Sequence, residues 1–226
     1  LKFLKYINLN FKNKIILCEK PIYTKYFELN LINKNKVYVG YNLRFDPLLI
    51  ELKKLIKNQK LYNVNISCNS YLPKWRNRNY SKTSSAKIMS GGGVLFDLSH
   101  EVDFANWIFG PLKLVNHIYK KISSLRIETK DFFNGNFVNY DNLNINITLN
   151  YFSIKEERFI KIFGDNLYIY ADFNSRKIIY KKNNITKIKK IKKIDLYLKM
   201  HKDIISKKNK YICDYNSGLN FLKIIR

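Results

Sequence analysis

Hydrophobic positions along the 226-residue chain fall into short blocks whose period changes twice. Residues 1–9 (LKFLKYINL) carry apolar side chains at helical spacing and predict the end of a helix. Residues 14–18 (KIILC) form a short continuous apolar run, as expected of a strand buried on both faces of a parallel sheet. A weak helix is predicted over 23–32 and a second strand over 36–41 (KVYVGY). Asp46-Pro47 then opens a helix with proline in its first turn, with Leu48, Leu49, Leu52 and Leu55 on one face. Strand, helix, strand, helix is the pattern of a parallel α/β unit.

After residue 60 the period becomes two. Residues 61–71 alternate around Val64, Ile66 and Cys68, predicting a strand with one wet face. A polar loop over 72–87 contains Pro73, Trp75, Arg76, Arg78 and Tyr80. One helix is expected over 91–109, stopped by Gly110-Pro111. Strands are expected over 112–121, 143–152, 157–162, 166–171 and 177–181, with Gly164-Asp165-Asn166 as a hairpin turn. Residues 181–193 (KKNNITKIKKIKK) predict a solvated turn leading to a helix over 194–205, and a last helix starts near Ser217. Consecutive strands with tight turns packed on helices make an α+β arrangement with a mainly antiparallel sheet.

The candidate chemistry gathers at Ser90-Gly91-Gly92-Gly93 and the helix after it. Asp97, His100 and Asp103 recur every third residue, which on one helix places them along one face. Histidine titrates near neutral pH and a neighbouring carboxylate can orient it, so the group could transfer a proton; it could equally be a helix histidine bonded to Asp103 for stability. Glu19-Lys20-Pro21 follows the first buried strand at the carboxyl edge of the sheet, where open α/β sheets bind ligands. Ordinary loop charges are the alternative. Trp75-Arg76 lies in a loop, where function concentrates, or Trp75 caps the core and Arg76 is solvated.

The net charge of +25 raises the question of nucleic acid or an anionic surface. The lysines are mostly scattered through a chain rich in Lys, Asn, Ile and Tyr, and no zinc-finger or RNP signature occurs, so a nucleic-acid role is disfavoured. No run approaches the roughly 20 apolar residues of a membrane span. Cys18, Cys68 and Cys213 show neither metal-ligand spacing nor a disulfide framework, so no metal is expected and a reducing cytoplasm is the default.

The ordered set Cys18-Glu19-Lys20-Pro21, Val39-Gly40-Tyr41 running into Asn42-Leu43-Arg44-Phe45, Trp75-Arg76, Gly91-Gly92-Gly93 with Asp97 and His100-Glu101-Val102-Asp103, and Ile162-Phe163-Gly164 resembles the Gfo/Idh/MocA family. That resemblance implies an NAD(P)-dependent oxidoreductase acting on a sugar, polyol or nucleotide sugar. It implies a Rossmann domain followed by an α+β domain whose sheet forms homo-oligomer contacts. The boundaries it implies here are a Rossmann remnant at 1–43 and a substrate and oligomerisation domain at 44–226. By the same resemblance Lys20, His100 and Asp97 are catalytic, Glu19, Lys20, Trp75 and Arg76 face the NAD or NADP cofactor, and Arg44, Tyr71 and Asp103 face the carbohydrate. Two departures stand out. Asp97 and His100 are three apart where the family commonly has four, and only 18 residues precede Glu19. Leu1 is not Met, and the glycine-rich phosphate turn of a dinucleotide site does not occur. The expectation is therefore a shortened chain that binds NAD(P) poorly and turns over little by itself. A non-catalytic sugar-binding or oligomerisation domain of the same ancestry is the other reading.

Overall fold

A computed structural model describes residues 2–226. The elements run α1 (Lys2–Asn10), β1 (Ile15–Cys18), β2 (Lys36–Val39), α2 (Pro47–Leu55) and β3 (Leu61–Tyr71). They continue with α3 (Val94–Asp97), α4 (His100–Phe109), β4 (Lys113–Lys120), β5 (Phe132–Val138) and β6 (Asn144–Asn150). Then come β7 (Phe152–Gly164), β8 (Leu167–Asp172), β9 (Lys177–Lys182) and β10 (Ile185–Lys190). The chain ends with α5 (Leu196–Ile205), β11 (Cys213–Asp214) and α6 (Tyr215–Ile224). Residue 1 of the expected first helix lies outside the described residues.

The chain folds as two compact units, one made of residues 1–45 with 195–226 and the other of 46–194. The expected division at 43/44 thus meets a return crossing: the last 32 residues join the first unit rather than the domain drawn over 44–226. The reason is packing. β11 pairs antiparallel with β2, at Cys213 opposite Val39. Met200 and Ile204 of α5 share a core with Tyr38, Phe45 and Ile212.

In the first unit β1 and β2 run parallel, and β11 completes a three-stranded sheet of order β1-β2-β11; β1 is an edge strand, so it is not buried on both faces as its apolar run predicted, and Ile15 is exposed. Gly218 of α6 is required by close approach, since a Cβ there would lie 2.3 Å from Val39 Cγ2. The helix expected over 23–32 does not form. That segment is irregular, and its backbone is held by side chains from elsewhere: Leu29 N donates to Tyr215 Oη at 2.6 Å and Ile32 N to Asn8 Oδ1 at 3.1 Å. Asn8 and Asn35 are buried and answer loop backbone groups that no helix or strand would satisfy.

The second unit is an eight-stranded sheet of order β10-β9-β8-β7-β3-β6-β5-β4. Every pairing is antiparallel except β3 with β6. Val64 lies opposite Ile145 and Ile162, and Ile66 opposite Ile147 and Ile160, so the alternation of β3 extends as rows of buried aliphatics across the sheet. α2, α3 and α4 cover that face. Asp46 caps α2 by accepting from Leu48 N, and Leu48, Leu49 and Leu52 are fully buried.

Three further differences from the sequence reading have local causes. Residues 91–109 are not one helix. α3 is a single turn, Leu98 leaves helical geometry at φ −99° and ψ 30°, and α4 begins afresh at His100. The lysine-rich stretch 181–193 is not merely a turn, because it contains β10, a fully exposed edge strand whose charges suit an edge. β5 was not expected; its period is masked by Asn134, Gly135 and Asn136.

Turns are made largely by asparagine. Among the described residues, ten non-glycine positions have positive φ, and Asn13, Asn33, Asn58, Asn142, Asn166, Asn183 and Asn209 account for seven of them. Asparagine tolerates left-handed geometry better than other side chains with a Cβ, which lets a chain with eight glycines make this many tight corners.

Candidate active site

The expected site residues divide between the two units. Glu19, Lys20 and Arg44 lie in the first; Tyr71, Trp75, Arg76, Asp97, His100 and Asp103 lie in the second.

In the first unit Glu19 and Lys20 follow the carboxyl end of β1. The Lys20–Pro21 peptide is cis. Glu19 is exposed and its carboxylate lies beside Gly40, where an added Cβ would stand 3.7 Å from Oε2 and 3.3 Å from the Cys18 carbonyl. Gly40 N donates to Cys18 O at 2.8 Å, so the ends of both parallel strands are bound together directly beneath Glu19-Lys20. Lys20 is half-buried. Arg44 is buried in a 3₁₀ turn, Asn42–Phe45.

In the second unit the glycine turn and α3 set the geometry. Gly91 is left-handed at φ 75° and Gly93 has φ 124°. Gly92 admits no side chain, because a Cβ would meet the Ser84 carbonyl at 2.1 Å. A Cβ on Gly93 would lie 2.8 Å from Tyr119 Oη, so that phenol sits directly over the turn. Val94 N donates to Lys130 O at 3.0 Å, fixing the start of α3. At its end, Asp97 Oδ2 accepts a hydrogen bond from Tyr151 Oη, in a residue just past β6. Trp75 meets the Tyr151 ring edge-on, with centroids 5.2 Å apart.

These groups shape one another's acidity. Burial, with the Asp97 carboxylate next, pushes the Tyr119 phenol up to about 12. Burial and then Asp97 push Tyr151 still further above the ordinary phenol range, so its proton stays on the oxygen as a permanent donor.

His100 opens α4, half-buried, with Nδ1 shielded from solvent. Asp103 is buried one turn on, and its amide donates to Ser99 O at 3.0 Å. Because α3 and α4 are separate, the three-residue spacing of Asp97 and His100 does not set them on one helical face: Asp97 ends one turn and His100 starts the next. Tyr71 ends β3 opposite Phe152. Arg76 is exposed beside half-buried Trp75.

Sequence reasoning missed Tyr119 and Tyr151. Each is one tyrosine among 17, at positions with no local signal; only the sheet order brings them to the glycine turn. It also missed a charge pair between buried Glu101 and half-buried Arg158. Arg158 Nε lies 2.8 Å from Glu101 Oε1 and donates to Cys68 Sγ at 3.3 Å. Among the described residues no group of His, Cys, Asp or Glu is arranged to hold a metal ion, and no helix is long and apolar enough to cross a membrane.

No protein-family model matches the chain. The uncharacterized oxidoreductase YrbE of Bacillus subtilis is 32% identical over 120 residues, which is 50% of this chain and 33% of YrbE. The aldose–aldose oxidoreductase of Caulobacter crescentus, solved with glycerol, superposes with a TM-score of 0.76 at 18% identity, over 92% of this chain and 67% of that one. The WlbA dehydrogenase of Bordetella pertussis, solved with NADH and UDP-GlcNAcA, does so with a TM-score of 0.68 at 17% identity, over 94% and 67%. The matched stretch thus spans a third of YrbE. The chain shares the fold of these solved oxidoreductases.

Proposed function

We propose that this chain supplies the substrate side of an NAD(P)-dependent oxidoreductase acting on a sugar, polyol or nucleotide sugar. The observation that carries the reading is the glycine turn with its two helical segments, which presents Asp97, locked by Tyr151, next in the chain to a shielded His100. The likeness to proteins solved with glycerol and with UDP-GlcNAcA supports a carbohydrate substrate.

The residues after β1 suit the nicotinamide end of the cofactor. Gly40 leaves room for the Glu19-Lys20 corner to close onto the strand ends, at the sheet edge that receives ligands. Glu19 and Lys20 would hold that end. The bound cofactor supplies hydride chemistry, and the protein positions the reacting carbon and moves the proton. Lys20 holds an ammonium beside the reacting oxygen, stabilising the alkoxide that develops there. His100 takes the proton from that oxygen, or returns it. Asp97 orients the same hydroxyl from a carboxylate that Tyr151 keeps in place. Tyr71 and Asp103 would face the substrate. A second copy of the chain would dock on the open face of the sheet, where Ile118, Phe163 and Ile188 are exposed.

The test is a turnover assay against a panel of sugars and nucleotide sugars, following reduced nicotinamide. In the full-length protein, Lys20→Ala and His100→Ala should each lower kcat by about 10²–10⁴. Full activity in both would sink the assignment.

A further inference from the structure

α3 is one turn long, and two phenols address its two ends. Tyr151 donates its hydroxyl hydrogen to Asp97 at the far end. Tyr119 stands at the near end, where a Cβ on Gly93 would lie 2.8 Å from its Oη. The turn is closed by Asp97 N, which donates to Gly93 O at 3.0 Å. A rise of ~1.5 Å per residue sets the two ends about 6 Å apart. The phenols therefore flank one short stretch, but they use their hydroxyls differently. Tyr151 commits its hydrogen to the protein. Among the described residues Tyr119 Oη makes no hydrogen bond.

Packing, not hydrogen bonding, fixes Tyr119. On β4 it lies opposite Phe133 of β5 and meets that ring edge-on, with centroids 6.0 Å apart. Lys130 Nζ lies 4.4 Å from the centre of the Tyr119 ring, and Lys130 O accepts from Val94 N at the start of α3. The half-buried ring is thus held between the sheet and the segment that anchors α3. Phenylalanine would serve that packing equally well. What tyrosine adds is a hydroxyl that both donates and accepts, held over a glycine turn whose backbone a ligand can approach closely. Burial and the Asp97 carboxylate keep its proton on the oxygen at neutral pH.

We propose that Tyr119 determines specificity at this site: its Oη bonds a sugar hydroxyl adjacent to the one that Asp97 orients, so the enzyme takes substrates with two neighbouring hydroxyls and rejects the analogue lacking the second. The inference rests on the oxidoreductase reading above, which puts the reacting hydroxyl at Asp97 and His100. A site built to hydrogen-bond a hydroxyl discriminates against the deoxy analogue, because its own polar group is then left without a partner.

The 226-residue chain, carrying carbon-13-labelled tyrosine, is titrated with glucose, galactose, myo-inositol and uridine diphosphate glucose and followed by NMR. The Tyr119 signal is the one missing from Tyr119→Phe. At least one probe should shift that signal saturably. For that probe Tyr119→Phe should raise Kd about tenfold, the loss expected of one hydrogen bond. Among its deoxy analogues, one should bind the native protein and Tyr119→Phe equally well, and the others should keep the tenfold difference. His117→Ala, two residues away on β4, should change Kd less than twofold. The urea midpoint of Tyr119→Phe should match that of the native protein, because the hydroxyl makes no bond within the chain. The proposal is overturned if no probe shifts the Tyr119 signal, if Tyr119→Phe binds as tightly as the native protein, or if its loss is the same for every deoxy analogue. Lower stability without the deoxy pattern would make Tyr119 a packing residue and overturn it too. Binding is read without cofactor or turnover. Full-length protein that oxidises none of these compounds would sink the oxidoreductase reading and leave Tyr119 as a sugar contact. A full-length oxidoreductase whose kcat/KM ignores Tyr119→Phe would sink the specificity role alone.

Discussion

Tyr151 donates its hydroxyl hydrogen to Asp97, across 54 residues of sequence, and thereby ties the end of α3 to the strand edge after β6. The bond explains how a carboxylate at an unusual distance from His100 is held in a definite position. It also gives Trp75 a fixed ring to pack against.

Tyr151→Phe keeps the ring and removes the donor. A hydrogen bond to a charged group contributes about 1.5–3 kcal/mol, so unfolding in urea should show a loss in that range. Turnover should fall as well, through kcat more than KM, because Asp97 loses its orientation while the substrate contacts remain. A variant with unchanged kcat would make Asp97 a structural residue only.

Glu101 is fully buried, and Arg158 answers it at 2.8 Å. Burial works against the Arg158 charge, but Glu101 and Cys68 beside it hold the guanidinium firmly protonated. Removing one member of such a pair leaves a buried charge alone, so Arg158→Met should destabilise by about 3–5 kcal/mol. Adding Glu101→Gln should recover much of that loss. Equal stability of the single and double variants would show that the pair does not act as a unit.

Cys68 offers a pH reading. Burial, with the nearby Glu101 charge, pushes its thiol from 9.0 up to about 12. The folded state keeps a proton that the unfolded chain releases near pH 9. Stability from this group is therefore fully present below pH 9 and is lost as pH rises toward 12. Tyr119, raised from 10.0 to about 12, adds to the same decline. Cys68→Ala should flatten the first part of the alkaline denaturation curve. In the native protein at pH 8, Cys68 should resist alkylation that Cys18 accepts.

How much of this was readable from the residues follows from range. Parallel β1 and β2, α2 with its Asp46-Pro47 start, the alternating β3 and the Gly164 turn are local patterns, and each formed where the pattern stood. The break between α3 and α4 was not readable, because Leu98 and Ser99 carry no glycine or proline signal that would stop a helix. The helix expected over 23–32 lost to tertiary partners, Asn8 and Tyr215, that satisfy its backbone from a distance. The abundant asparagines carry no positional signal in the sequence, yet seven of them hold left-handed corners. The candidate site was legible as motifs. The tyrosines that brace it required the sheet order to be known.

Asp46 performs two tasks with one carboxylate. It caps α2 through Leu48 N at 2.8 Å, and it receives both arms of Arg176, which lies 130 residues away on the turn before β9. The pair is largely buried, so it is not a screened surface bridge, and it fastens the start of α2 to the far end of the sheet. The two tasks can be separated by substitution. Asp46→Asn keeps a capping oxygen but loses the charge facing Arg176; Arg176→Lys keeps the charge and loses the fork. Asp46→Ala removes everything, and loss of the cap alone accounts for about 0.5–2 kcal/mol. Stability should therefore fall in the order Arg176→Lys, Asp46→Asn, Asp46→Ala, measured by thermal unfolding in low salt. Raising the salt should change Asp46→Ala little and the native protein only slightly, because the pair is shielded from solvent ions. If Arg176→Lys proved as damaging as Asp46→Ala, the fork geometry itself, rather than the charge or the cap, would be what anchors α2.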